Sequence, residues 1–83
     1  MVQDTSRAAY ALADLPGNQH RVLFALLSQG PLCNYDIAIV TRMKINCVTP
    51  ATLALRKAGL VREAYRAINP ATGMTSIYWE VGP

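Results

Sequence analysis

CVTPATLALRKAGLV, residues 47–61, has the pattern of a short helix that stops at a glycine and turns into a strand. Val48, Thr52 and Leu55 fall on one face at helical spacing. Gly59 marks a helix end, where a left-handed residue is needed to turn the chain out. Thr49 followed by Pro50 reads as a cap and a first helical position, because proline needs no amide partner there. The expectation is a helix over about 49–58, with Cys47 and Val48 as its lead-in. Past Gly59 the pattern changes. Val61 to Ile68 and Met74 to Val81 are rich in β-branched and aromatic residues, and Asn69-Pro70-Ala71-Thr72-Gly73 between them is a dense turn signal. A β-hairpin with a five-residue loop follows from that. Ile77, Trp79 and Val81 share one face of its second strand, and Tyr78 and Glu80 the other. An isolated hairpin is marginal in water, so one face must pack on helices.

Working back toward the N-terminus, Asn34 is placed to cap a helix over about Tyr35–Thr41. Ile37, Ala38, Val40 and Thr41 are expected to face inward, and residues 42–46 form a turn. Before that lies the apolar run Val22-Leu23-Phe24-Ala25-Leu26-Leu27. An Asn18 cap, with Gly30 and Pro31 at the far end, makes the run a helix buried on more than one side rather than a strand. A first helix over about Arg7–Leu15, capped from Asp4-Thr5-Ser6, has Ala8, Ala11, Leu12 and Leu15 along one side and ends at Pro16-Gly17. Residues 1–17 read as an N-terminal helical appendage to a unit over 18–83.

Eighty-three residues make one domain with a modest core. Hydrophobic residues are 52% of the chain, so it is globular, and charged residues are only 16%, against about 25% in an average domain. So charge-poor a surface suggests cover by a partner or a second subunit. The charge is also uneven. Residues 1–41 carry a net −1 and residues 42–83 a net +4, which favours a polyanionic partner for the second half. No apolar run approaches the ~18 residues of a membrane span, and the N-terminus lacks a basic flank followed by an apolar block, so neither a membrane partner nor a signal peptide is expected. Cys33 and Cys47 have no second pair for a zinc site and read as small buried thiols in a reducing cytoplasm, with a redox switch as the sharper alternative. His20 has no metal-ligand companions and reads as a structural histidine. No catalytic grouping and no glycine-rich phosphate loop is present, so no enzyme activity and no cofactor are expected.

The order helix, helix, turn, helix, hairpin, carried by NYDIAIVTRMKINCVTPATLALRKAGLV and by Ile77-Tyr78-Trp79 after the turn, resembles small winged helix-turn-helix DNA-binding domains of bacterial and bacteriophage transcriptional regulators. The resemblance implies an α+β fold, mainly α with a small hairpin: a three-helix core plus wing, preceded by a short N-terminal helix. It implies a double-stranded DNA partner, with helix 49–58 in the major groove, the wing on phosphate or the minor groove, and a possible homodimer. Carried over by position, the DNA-binding residues are Arg42, Lys44, Thr49, Pro50, Leu53, Arg56, Lys57, Arg62 and Arg66, with Ala54 on the same outward helix face and Arg62 and Arg66 on one strand face of the wing. Base reading ordinarily uses Arg, Lys, Asn or Gln. On this face Thr49 offers one hydroxyl, while Leu53 and Ala54 offer only contacts to thymine methyls. The wing from Ala67 to Trp79 has no charge. A second reading therefore stands beside the first: a winged-helix module that binds protein, such as a phage protein inhibiting a host protein.

Overall fold

The computed structural model describes residues 3–82, with side chains from Arg7 onward. The first helix already spans Gln3–Ala11, so Asp4, Thr5 and Ser6 lie within it rather than capping a helix that starts at Arg7. Helix α1 (Gln3–Ala11) runs into a 3-10 turn (Leu12–Asp14), followed by α2 (Gly17–Gln29), a short strand β1 (Leu32–Cys33), α3 (Asn34–Thr41), α4 (Ile45–Lys57), β2 (Val61–Ile68) and β3 (Thr75–Val81). The strands form one antiparallel sheet in the order β1-β3-β2. This is the architecture of a winged helix-turn-helix: α2, α3 and α4 make the helical core, and the β2–β3 hairpin is the wing.

The core lies where α2 crosses α4 and α3 and where β3 closes over them. Val22, Leu23, Leu26, Ile37, Val48, Ala51, Leu55, Val61 and Trp79 are buried together, with Ile77 and Val81 packed against them. The apolar face expected for β3 is thus the one that docks. Ala8 belongs to the same cluster, and Ala11, Leu12 and Leu15 pack on it, so α1 adds its small-residue side to the core. His20 fixes the join between the 3-10 turn and α2, its Nδ1 lying 2.9 Å from the Leu12 carbonyl oxygen.

Helix α4 ends in paired backbone bonds. The Leu60 N–H donates to the Leu55 carbonyl and the Gly59 N–H to that of Arg56, both at 3.0 Å, with Gly59 at φ +76°. A residue without Cβ meets that conformation at no steric cost, and buried Leu55 and Leu60 make the apolar contact of such a terminus. Helix α3 ends in the same way but without glycine. Met43 N–H donates to the Ala38 carbonyl and Arg42 N–H to that of Ile39, and Arg42 holds φ +59°.

Several local expectations are corrected. Helix α4 starts at Ile45 with Lys44 as its extended N-cap, so Pro50 lies inside the helix rather than at its start. The Thr49 hydroxyl donates back to the Ile45 carbonyl (3.1 Å) instead of capping. Packing decides this. Val48 is fully buried, and a helix that began at Pro50 would not fix its side chain in register with Ala51, Thr52 and Leu55. Asn18 and Asn34 are likewise not caps. Pro16 and Cys33 hold those positions, neither making a side-chain cap. In the apolar run of α2, Phe24 turns out to solvent at 57% exposure, and on α3 Val40 does so too, since a two-layer core buries only one stripe of each helix. The sheet gains β1, whose Leu32 and Cys33 pair with Trp79 and Tyr78.

Candidate nucleic-acid interface

With Val48, Ala51, Thr52 and Leu55 buried, the opposite stripe of α4 is Asn46, Pro50, Leu53 and Lys57. All four are exposed. Thr49 and Arg56 flank the stripe and are also exposed, while Ala54 is half-buried. The sequence pattern alone puts Asn46 in the turn before α4. The earlier start of α4 places it on the outward face near the N-terminal end, the end that enters the groove in helix-turn-helix proteins. Its amide offers both a donor and an acceptor, the pair that recognises an adenine edge. The outward face therefore carries one side-chain amide more than expected. The signal for it was available: extending the Val48–Leu55 stripe back by one turn brings Ile45 and Asn46 into the helix.

The positive charge is concentrated on this part of the chain. Residues 42–61 contain Arg42, Lys44, Arg56 and Lys57 and no carboxylate. Among the described residues Arg42, Lys44 and Lys57 have no ion-pair partner, and all three are exposed. Arg56 is positioned differently. Its guanidinium lies 5.5 Å from the centroid of the Trp79 ring, bracing α4 against the wing by a cation–π contact.

The two wing arginines do not share a face. The register shifts between Glu63 and Tyr65, so Arg62 stands opposite Glu80 while Arg66 stands opposite Ile77, on the Trp79 side. One extra residue, a β-bulge, reverses the alternation for the rest of the strand. Each arginine is also held by a carboxylate. Arg62 Nε donates to Glu80 at 2.8 Å and Arg66 Nε to Glu63 at 3.0 Å. The wing is therefore locally neutral, and its tip presents Ile68 and Met74, each about two-thirds exposed. On the outer face Tyr65 stacks on Tyr78, with ring centroids 4.9 Å apart and planes at 17°. Burial pushes the Tyr78 phenol above its ordinary 10, and the neighbouring Cys33 and Asp36 push the same way.

Two grooves border α4 and the wing. One runs between the start of α2 and α4 and is lined by Asn18, Gln19, Asn46, Cys47 and Pro50. The other lies between the start of α3 and β3 and is lined by Asn34, Tyr35, Thr75, Ser76, Ile77 and Trp79. Cys47 is half-buried, Cys33 is buried, and both thiols are free.

Among solved structures, the chain is similar to that of a probable transcriptional regulator from Pseudomonas aeruginosa, with a TM-score of 0.66 and 23% identity over 98% of this chain. The chain spans 62% of the length of that protein. At that identity the likeness shows a shared fold. No family model matches the chain, and no curated protein is significantly similar to it. Among the described residues no helix is long and apolar enough to cross a membrane.

Proposed function

We propose that the chain binds double-stranded DNA as a transcriptional regulator, with the exposed stripe of α4 in the major groove and the wing beside it. The observation that carries this reading is the Asn46–Pro50–Leu53–Lys57 stripe, exposed along the whole helix and framed by Arg42 and Lys44 with no carboxylate on the segment. Lys57, Arg42 and Lys44 supply phosphate contacts. Asn46 and Thr49 supply hydrogen bonds to base edges, and Leu53 a surface for thymine methyls. Arg56 acts through Trp79, setting the helix against the wing. Arg62 and Arg66 reach phosphate only by leaving Glu80 and Glu63, exchanges that cost little because exposed ion pairs are worth about 0–1 kcal/mol. A homodimer on two half-sites, in a bacterial or bacteriophage setting, doubles a footprint that is small for one chain.

Fluorescence anisotropy with a random-sequence duplex tests the reading. Three cations on phosphate give a salt slope of roughly −2.7, so affinity falls about 40-fold between 50 and 200 mM salt. No binding at low salt and micromolar protein would remove the DNA reading. The wing favours a second reading. A neutral hairpin ending in exposed Ile68 and Met74 is suited to an apolar protein surface, as in an inhibitor of a host protein. Capture of one defined partner, lost on Met74→Asp with the fold intact, would support it.

A further inference from the structure

The described side chains buried most deeply include one polar residue of the wing. Asn69 begins the wing loop and is only 1% exposed. Every group it carries is engaged. Its N–H donates to the Met74 carbonyl at 2.9 Å, and its own carbonyl accepts from Gly73 at 2.7 Å and Thr72 at 3.2 Å. The side-chain Oδ1 accepts the Ala71 N–H at 2.8 Å. Nδ2 leaves the loop altogether, donating to Asp36 Oδ1 on α3 at 3.1 Å and to Cys33 Sγ on β1 at 3.0 Å. The partners fix the orientation of the amide. Turned over, it would set Oδ1 against a carboxylate and an NH2 against a backbone N–H. The same end of α3 also holds the recognition helix. Thr52, 1% exposed on α4, has its hydroxyl 3.0 Å from Asn34 Oδ1, with the Val48 carbonyl as a second acceptor at 3.0 Å.

We infer that residues 33–36 form a polar hub that sets the wing and the recognition helix in one register, with Asn69 as the residue that positions the wing. The functional consequence rests on the DNA-binding reading; the mechanical one does not. Helix and wing are joined in sequence only through the turn at residues 58–60, and the sheet fixes the wing at its base. Asn69 fixes the far end by tying the loop to the body across more than thirty residues of sequence. A neutral wing tip has no field to steer it onto DNA, so its placement depends on that tie. Turn chemistry alone needs only Oδ1. The buried Nδ2 and its two acceptors on other elements are what a local turn residue would not require.

Asn69→Asp keeps the acceptor for Ala71 but removes the Nδ2 donor and faces a second carboxylate toward Asp36. The swap N69D/D36N restores a donor–acceptor pair with the roles exchanged, and the Cys33 thiol can donate to the new carboxylate. The experiment compares wild type, N69D and the swap by amide hydrogen exchange and by anisotropy with duplex DNA, with thermal midpoints recorded for each. N69D is expected to speed exchange at Ala71–Met74 about tenfold or more, the scale of one charge-assisted bond, while α4 amides keep their protection. The swap is expected to bring exchange back to within about threefold of wild type, and duplex affinity is expected to follow the same order. Unchanged loop exchange in N69D, or a swap that fails to slow it, overturns the inference. If N69D does not fold, D36A removes only the acceptor on α3, and faster loop exchange is again required. Should wild type bind no duplex, the DNA reading falls while the exchange data still decide the hub.

Discussion

Replacing Pro50 by alanine should make the protein more stable. Pro50 is the sixth residue of α4, past the first turn where proline is harmless. With no N–H, it leaves the carbonyl of exposed Asn46 without its intrahelical partner, and its ring crowds that carbonyl. Alanine in a helix interior is favoured over proline by about 3 kcal/mol. Greater freedom of the unfolded chain offsets this by about 1 kcal/mol. Pro50 is exposed, so little packing is lost. The net gain is then about 2 kcal/mol, or roughly 8–16 °C in Tm for a chain of this size. Calorimetry and urea unfolding measure it, and an unchanged m-value would show a change in stability rather than in the compactness of either state. A helix that began at Pro50 behaves in the opposite way. Proline would then be favourable, Pro50→Ala would be neutral or destabilising, and Thr49→Ala would cost about 1 kcal/mol as a lost cap. A Tm that falls or stays level on Pro50→Ala would refute the continuous helix, and with it the placement of Asn46 on the outward face.

Arg42→Gly relieves a left-handed conformation that costs a side-chain-bearing residue roughly 1 kcal/mol, so the variant should melt higher while its duplex salt slope shallows by about 0.9. Glu63→Gln and Glu80→Gln each free a wing arginine and remove a negative charge. Duplex affinity should rise several-fold in anisotropy, and a fall would place the wing away from DNA. The raised Tyr78 pKa means that the folded state keeps a proton which the unfolded state loses above pH 10. Stability should therefore fall as pH rises through 10 toward the folded value, and Tyr78→Phe should show a shallower alkaline decline in urea midpoints.

The sequence was most legible where one physical signal dominated. Val61–Ile68 and the return strand stand out because β-branched and aromatic runs flank a turn of five loop formers, and the Gly59 terminus because only glycine sits easily at φ +76°. Sequence pattern and structure part where a local signal competes with burial. Thr49-Pro50 has the chemistry of a helix start, yet the helix begins at Ile45 without any side-chain cap, because the buried stripe through Val48 outweighs the missing one. Strand β1 is two residues long and has no periodicity to read. The bulge after Glu63 is invisible to simple alternation and moves Arg66 to the opposite face from Arg62. Asn69 has an obvious turn role, and its burial depends on Asp36 and Cys33, more than thirty residues away. At the candidate interface the cations of residues 42–57 were legible as charge. Their division between exposed Lys57 and Arg56 on Trp79 depends on where the sheet lies.

The outward stripe of α4 is the proposed DNA-contacting face. The most direct measurement is the salt dependence of duplex binding for wild type, Lys57→Ala and Asn46→Ala by anisotropy. Lys57→Ala should weaken binding to every sequence alike and reduce the slope by about 0.9, whereas Asn46→Ala should leave the slope unchanged and lose preference among sequences at one position. Binding that depends on neither residue, or none at all in low salt, would remove the outward stripe of α4 from DNA.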